Sequence, residues 1–239
     1  MKIAIVPTAA IPPQAWDEIW QLTQRYYDCE RDYAEARLKE RQLTALVRAG
    51  GDCAMVGMAS IDVIGSAFRG RAITALYTSH VLLREDVRGR NLIQKIGLRV
   101  FLAERLRHPL RPIYWFFDTF SYKSYLLLPR NYRDFWPRFD RPTPASEQAL
   151  MDSLARQIYG PAWQPVQGIV VRSGKKRLRA ETAPLAADFA SSPDLAFFAA
   201  RNPGHAEGDM LVCLCPLTAA NWLHAIRLAL GRTWRRNNG

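Results

Sequence analysis

Residues 74–107, TALYTSHVLLREDVRGRNLIQKIGLRVFLAERLR, decide the fold. An apolar, strand-like run leads through a short basic turn, EDVRGRN at residues 85–91, into an amphipathic helix. The first amides of a helix have no acceptor within it, and the helix dipole makes that end attractive to anions. Arg88 and Arg90 add two positive charges there. The turn is therefore predicted to bind a phosphate group.

The segments on either side of this turn predict a sheet. Strand-like runs at residues 43–48, 53–64 and 72–83 are joined by turn signals, which indicates three consecutive strands in a meander. After the helix, the apolar run IYWFF at residues 113–117 is typical of a strand buried on both faces. A strand, a helix and a second strand imply a right-handed crossover and a parallel pair around the turn.

The remaining chain adds elements before and after this unit. We expect strands at residues 3–6, 167–172 and 209–217, and helices at residues 14–28, 31–41, 121–128, 145–159, 194–201 and 218–230. Pro129 is expected to end the short helix at residues 121–128. No internal repeat is visible, so residues 1–239 are predicted to form a single domain. Within it, residues 130–166 are an insertion or lid and residues 218–239 a helix with a basic tail.

The charge balance indicates an anionic partner. The 239 residues include 33 Lys and Arg against 22 Asp and Glu, a formal net charge of +11. Such a chain suits a nucleotide, a nucleic acid or an anionic membrane surface. No run approaches the roughly 18 apolar residues of a membrane span, and Pro7 interrupts the N-terminal segment too early for a signal peptide. We expect a cytoplasmic protein that at most lies peripherally at the inner membrane surface.

The cysteines favour no metal site. None of the four forms a CxxC pair or lies beside a set of histidines. Cys213 and Cys215 fall on one face of a predicted strand and are interpreted as small buried side chains. The complete set is Cys29, Cys53, Cys213 and Cys215.

The turn and its flanks resemble the GCN5-related N-acetyltransferase (GNAT) superfamily. That family's acyl-CoA motif, Gln/Arg-x-x-Gly-x-Gly/Ala, lies at a strand-to-helix turn, and the matching segment here is RGRNLI at residues 88–93. Asn91 and Ile93 stand where glycines are usual. The likeness covers residues 2–132. It implies an α/β fold of the GNAT type, with a mixed, mostly antiparallel splayed sheet flanked by helices.

The same resemblance implies direct acyl transfer from a thioester to an amine in a ternary complex. The donor would be acyl-CoA, or an acyl carrier protein whose phosphopantetheine arm is chemically the same. The acceptor would be a small-molecule amine or a peptide. The residues expected to hold the donor are Ser79, Val81, Arg88, Gly89, Arg90, Asn91 and Leu92.

Three residues are candidates for proton transfer in such a site. His80 titrates nearest neutrality and is the candidate base. Tyr125 stands in about the place of the family's frequent general acid, and Asp118 is either a base or a holder of a cationic substrate amine. Each also has a structural interpretation: His80 and Tyr125 as core residues, and Asp118 as the cap of the helix that starts near Ser121. The basic turn is likewise open to interpretation as an ordinary solvated helix start.

Other classes of function remain open at this point. The basic runs at residues 175–177 and 234–236 suit a nucleic-acid-binding module, but no helix-turn-helix or zinc spacing accompanies them, and we expect no nucleic acid. The last helix is either a core helix or lies in an anionic lipid interface, which would suit a long-chain acyl donor. A third possibility is a GNAT-fold acyl-CoA-binding protein with weak catalysis.

Overall fold

The computed structural model describes residues 1–51, 54–172, 174–179 and 192–237, with side chains to residue 231. The strands, in chain order, are β1 Lys2–Pro7, β2 Tyr27–Asp28, β3 Leu43–Arg48, β4 Met55–Phe68, β5 Arg71–Leu83, β6 Ile113–Thr119, β7 Trp163–Gln164, β8 Ile169–Val170, β9 Arg177–Leu178 and β10 Met210–Pro216. The helices are α1 Pro13–Tyr26, α2 Arg31–Lys39, α3 Leu92–Arg107, α4 Tyr122–Tyr125, α5 Leu127–Asn131, α6 Ala145–Tyr159, α7 Pro193–Arg201 and α8 Ala219–Asn237.

Eight of the strands form one mixed sheet. Its order is β1-β3-β4-β5-β6-β10-β8-β7, while β2 and β9 pair separately as a short ribbon. Neighbouring strands are antiparallel except β5 and β6, which are parallel and joined through α3. The predicted α/β fold, a mostly antiparallel sheet flanked by helices, is confirmed. Strands β3, β4 and β5 form the predicted meander, and β5 and β6 form the predicted parallel pair.

Helices cover both faces of the sheet. Leu76 of β5 belongs to the core cluster that contains Ile96 and Val100 of α3. Its neighbours along the strand, Ala75 and Tyr77, belong instead to the cluster built around α6. Since successive side chains of a strand point to opposite faces, α3 and α6 lie on opposite sides of the sheet. A third cluster packs α1 and α2 against β3 to β5.

The sheet opens between β5 and β6. Their ladder pairs Thr74 to Thr78 with Ile113 to Phe117 and stops there, although β5 continues to Leu83 and β6 to Thr119. On its other side β5 stays paired with β4, but the register shifts near Ser79 and leaves His80 and Val81 without a ladder partner. A gap bordered by unpaired backbone therefore separates the ends of the two parallel strands. This is the splayed sheet that the sequence predicted.

Some element bounds differ from expectation. Pro129 does not end a helix: the segment forms two short helices, α4 and α5, and Pro129 is the third residue of α5. The amides of a first helical turn have no acceptor within the helix, so proline is tolerated there. Helix α1 ends at Tyr26 rather than Asp28, because Tyr27 and Asp28 pair with β9.

The region after α5 packs against the sheet. Phe135 and Trp136 are buried, and Trp136 exchanges two backbone hydrogen bonds of 2.8 Å with Leu214 of β10. The role of residues 130–166 as an insertion or lid stays a prediction.

Cys213 and Cys215 are buried on β10, as interpreted from the sequence, whereas Cys53 lies outside the described residues. Within the described part of the chain, no helix is long and apolar enough to span a bilayer.

Candidate functional site

The turn before α3 leaves a run of backbone amides without acceptors. Gly89 and Asn91 have positive φ angles of 79° and 55°, which turn the chain sharply into the helix at Leu92. Asparagine tolerates this left-handed conformation better than most side chains. No side chain caps the helix, and among the described groups none accepts a hydrogen bond from the amides of residues 89–94. The amides predicted to bind an anion are thus uncapped.

The two arginines of the turn behave differently. Arg88 turns back toward α1: its Nε donates to the carbonyl of Leu83 at 3.2 Å, and its guanidinium lies 5.3 Å from the ring centroid of Tyr26. It also forms an ion pair of 3.3 Å with Glu85. Arg90 is exposed, with no ion pair to a described carboxylate. Among the described residues, Arg88 is thus engaged by neighbouring groups while Arg90 is not, and a role of either arginine in binding a ligand stays a prediction.

A groove of about 690 Å³ adjoins this turn. We call it the α3–α8 groove, because those two helices form its walls above the sheet. Gly89, Asn91 and Ile93 line its end at the turn, whereas Leu92 is buried in the core and does not line it. The main wall and floor residues are Leu98, Val100, Ala225, Ile226, Ala229, Ile61, Leu76 and Trp115.

One polar group in the groove wall has no partner. The indole N–H of Trp222 is buried, and no described atom accepts its hydrogen bond. Buried donors are nearly always satisfied in folded proteins, so such a group marks a place where a ligand acceptor or water fits.

A second cavity, of about 120 Å³, lies in the gap between β5 and β6. We call it the splay pocket. Ser79, His80 and Val81, which the sequence predicted as site residues, all line it, and so does Asp118. It shares three lining residues with the α3–α8 groove, namely Ile93, Trp115 and Leu127. The two cavities therefore meet at the point where the sheet opens.

His80 is held in the splay pocket by its backbone and by two hydroxyls. It has a φ angle of 50°, a conformation that costs free energy and that clusters at functional sites. Its Nδ1 lies 3.0 Å from Oγ of Ser79 and 3.2 Å from Oγ of Ser60. Burial and the positive charges of Lys176 and Arg41 lower the pKa of His80 well below its ordinary value. The imidazole is thus neutral at physiological pH.

Asp118 ends a chain of hydroxyl groups. The hydroxyl of Tyr77 donates to Oδ1 of Asp118 at 3.0 Å, and the hydroxyl of Tyr159 donates to that of Tyr77 at 3.2 Å. Burial and the negative charge of Asp118 raise the pKa of both tyrosines, so both stay protonated. The alternative role of Asp118 as a cap of α4 is not observed, because no side chain caps that helix.

Tyr125 does not lie in either cavity. Its side chain is fully buried, packs at 5.6 Å from the ring of Phe198, and donates its hydroxyl to the carbonyl of Pro137 at 3.2 Å. Burial raises its pKa far above the ordinary value. The structural interpretation, a core tyrosine, therefore describes its position. Its neighbour Ser124, one helical step away, does line the splay pocket.

Several residues of the splay pocket were not expected from the sequence. They are Tyr27, Arg37, Arg41, Tyr77, Arg172 and Lys176. Lys176 was noted only as part of a basic run, and it reaches the pocket because β9 pairs with β2, with Leu178 opposite Tyr27. That pairing joins segments about 150 residues apart and leaves no local signal in the sequence. Among the described residues no group of His, Cys, Asp and Glu is arranged to hold a metal ion.

Comparison with known proteins returned structural matches only. No family model matches the chain, and no curated protein does. A solved structure from Bacillus halodurans is 12% identical, with a TM-score of 0.44, over 60% of this chain and 100% of that one. A probable N-acyltransferase from Enterococcus faecalis is 11% identical, with a TM-score of 0.40, over 92% of this chain and 67% of that one.

An aminoglycoside 6'-N-acetyltransferase from Acinetobacter haemolyticus is also among the matches. It is 8% identical, with a TM-score of 0.36, over 69% of this chain and 91% of that one. Proteins described as acyl- or acetyltransferases are thus among the structural neighbours.

Proposed function

We propose that this protein is an N-acyltransferase with a GNAT-type site, which moves an acyl group from a coenzyme A thioester to an amine. The observation that carries the proposal is the meeting of two cavities at the gap between β5 and β6. One cavity begins at uncapped helix amides, and the other contains a neutral histidine. A donor in one cavity and an acceptor in the other would bring thioester and amine together.

The α3–α8 groove suits the donor. Its volume of about 690 Å³ lies within the usual range for a small-molecule site. The amides of residues 89–94 and the charge of Arg90 would hold the diphosphate. The pantetheine arm would follow the apolar groove toward Trp115.

The chemistry requires one bond to form and one to break. The amine nitrogen attacks the thioester carbonyl carbon, a carbon–nitrogen bond forms, the carbon–sulfur bond breaks, and coenzyme A leaves as the thiolate. The proton lost by the amine goes to Nε2 of His80, which is neutral. The unpaired amide of Val81 would stabilise the negative charge on the carbonyl oxygen.

The departing thiolate needs little help from the protein. A thiol is a far stronger acid than an alcohol, and that of cysteine has a pKa of about 8.5. The thiolate is therefore a good leaving group and takes its proton from water. This fits the position of Tyr125, whose hydroxyl is engaged in the core and therefore takes no part in the proposed reaction.

Two finer features belong to the same proposal. The apolar walls of the groove favour an acyl donor with a long chain, and a carrier-bound phosphopantetheine would satisfy the same amides with its single phosphate.

Leu223, Ile226 and Leu230 of α8 are exposed by 56%, 52% and 65%. A peripheral contact with an anionic membrane would cover them and deliver such a donor from the lipid phase.

The proposal is tested by binding and by turnover. CoA, acetyl-CoA and palmitoyl-CoA should raise the melting temperature, since a ligand at one hundred times its Kd stabilises a protein by about 2.7 kcal/mol. Release of free thiol in the presence of an amine measures transfer. The double variant Arg90→Glu, Lys95→Glu reverses two charges at the groove end and should abolish the shift.

Arg71→Glu is the matched control. Arg71 is exposed and begins β5, twelve residues from the other end of that strand, so its reversal should leave the shift unchanged. A CoA shift that survives the double variant would show that the amides of the turn do not hold the phosphates. Binding without thiol release, for every amine and acyl chain tried, would reduce the protein to an acyl-CoA-binding protein.

A further inference from the structure

The splay pocket is strongly cationic. Four basic side chains line it: Arg37, Arg41, Arg172 and Lys176. Two of them are neutralised by carboxylates of the protein. Arg41 forms an ion pair of 2.6 Å with Asp62, and Arg37 one of 2.7 Å with Glu40.

The other two cations have no carboxylate partner among the described residues. Lys176 lies 4.0 Å from the ring centroid of Tyr27, and the guanidinium of Arg172 lies 5.2 Å from the ring centroid of Tyr159. The Nε–H of Arg172 is buried without an acceptor in the described part of the chain. Aromatic faces hold both cations in place but leave their hydrogen-bond donors unused.

The pocket offers little negative charge in return. Asp118 is the acidic residue in its described lining, and its Oδ1 already accepts from the hydroxyl of Tyr77. Two half-buried cations against one carboxylate leave an excess of positive charge that the described residues do not balance. A cavity lined by such an excess favours a ligand that carries a negative charge.

We propose, building on the proposed function, that the acceptor is a small amine that also carries a carboxylate or a phosphate, and that Arg172 and Lys176 bind this anionic group. The guanidinium presents paired donors that match either oxyanion, and the lysine adds a point charge beside it. A pocket of about 120 Å³ fits a small molecule.

The same cations affect the acceptor's amine. They disfavour a protonated ammonium group and so favour the neutral amine that attacks the thioester. They also help to keep His80 unprotonated. An amine without an anionic group is not attracted by Arg172 and Lys176. We therefore expect it to bind this positively charged pocket more weakly.

Matched pairs of acceptors test the proposal. We would measure thiol release from acetyl-CoA or palmitoyl-CoA with glycine against glycinamide, and with phosphoethanolamine against ethanolamine. The anionic member of at least one pair should have a kcat/KM at least tenfold higher. If only the glycine pair discriminates, the site recognises carboxylates; if only the phosphoethanolamine pair does, it recognises phosphates.

Variants locate the effect. Lys176→Met and Arg172→Gln should raise KM for the preferred anionic acceptor about tenfold and change kcat/KM for its neutral partner less than threefold. Arg177→Met is the control, because Arg177 is exposed, pairs with Asp28 and does not line the pocket. The Arg177→Met variant should leave the ratio of kcat/KM between the anionic and the neutral acceptor unchanged.

A binding measurement separates this inference from the proposed function. If no amine supports thiol release, the same four amines are tested at millimolar concentration by thermal shift, without a donor. A shift for the anionic members that Lys176→Met abolishes would support the anion site even though acyl transfer had failed. Equal kcat/KM values within both pairs, or, without turnover, equal shifts within both pairs, would overturn the inference.

Discussion

The α3–α8 groove and the splay pocket meet at three residues but differ in charge. The described lining of the groove contains one charged side chain, Lys95, near the turn. That of the smaller splay pocket contains four basic side chains and one carboxylate. An apolar channel with donors at one end suits a long, flexible ligand with a charged end. A compact charged pocket selects its ligand by charge. The difference indicates that the groove and the pocket recognise ligands of different chemistry.

The largest expected effect separates catalysis from donor binding. His80→Asn keeps a side chain that tolerates a positive φ angle and removes the proposed base. We expect kcat/KM to fall by about 10² to 10⁴, while the CoA-induced thermal shift stays the same. In the wild type, activity should persist well below pH 6.5, because the pKa of His80 is lowered.

Two outcomes would contradict this division. A loss of CoA binding in His80→Asn would show that the groove and the pocket do not act separately. An acid limb of kcat/KM centred at pH 6.5 or above would argue against His80 as the base.

The next effect concerns stability on the pocket side. Side chains of Arg41 and Asp62 are about 9% and 10% exposed and form an ion pair. Arg41→Met leaves the Asp62 carboxylate with only the backbone amide of Gln42, and should destabilise the fold by about 3 kcal/mol. Urea unfolding measures the change.

Arg37→Met provides the comparison, because its partner Glu40 is 47% exposed. Its cost should be below about 1 kcal/mol. Similar losses in the two variants would mean that the Arg41–Asp62 pair is not a structural part of the pocket wall.

A smaller effect depends on pH. Burial lowers the pKa of Lys176 from 10.5 to about 8. Between these values the unfolded chain binds more protons than the folded one, so this residue makes stability rise with pH there. Below about pH 8 its desolvation penalty is fully present. Lys176→Met should therefore be more stable than the wild type at pH 7, with the difference shrinking toward pH 10.

The expected difference in stability between Lys176→Met and the wild type is modest. Each unit of the pKa difference corresponds to about 1.4 kcal/mol, and for a chain of this length about 1 kcal/mol moves the melting temperature by roughly 2–4 °C. A lower melting temperature for Lys176→Met at pH 7 would show that Lys176 is paired rather than unbalanced. Melting curves of both proteins from pH 6 to pH 10 give the answer.

The smallest effect tests the groove side. Leu223→Ser and Leu230→Ser replace exposed side chains of α8 and should change the free energy of unfolding by less than about 0.5 kcal/mol. If α8 contacts membranes, both variants should bind vesicles of anionic lipid less well than the wild type in a flotation assay. Unchanged flotation would remove membrane delivery from the proposal.

Local patterns predicted the elements well. The bounds of β3 and α6 agree with the sequence prediction, because Gly50 and Gly51 follow the first element and Leu150, Leu154 and Ile158 repeat every four residues along the second. The turn before α3 was also predicted, since glycine and asparagine permit the positive φ angles that it needs. These features depend on residues close together in the chain.

The candidate site was predicted more fully along β5 and the turn than around the rest of the splay pocket. Ser79, His80 and Val81 lie on one strand beside the turn, so a local motif places them. Tyr125 was misplaced because α4 has four residues, too few for periodicity to show which side faces the sheet. Lys176 was missed because only the long-range pairing of β9 with β2 brings it to the pocket.

The contact between the two cavities has an evolutionary consequence. Their shared residues, Ile93, Trp115 and Leu127, are apolar. Substitutions at Arg172 or Lys176 change the pocket without touching the α3–α8 groove, and substitutions along α8 leave the basic pocket residues in place. Under the proposed function, a lineage that carries this scaffold is free to exchange its acceptor while it keeps its donor, one mutation at a time.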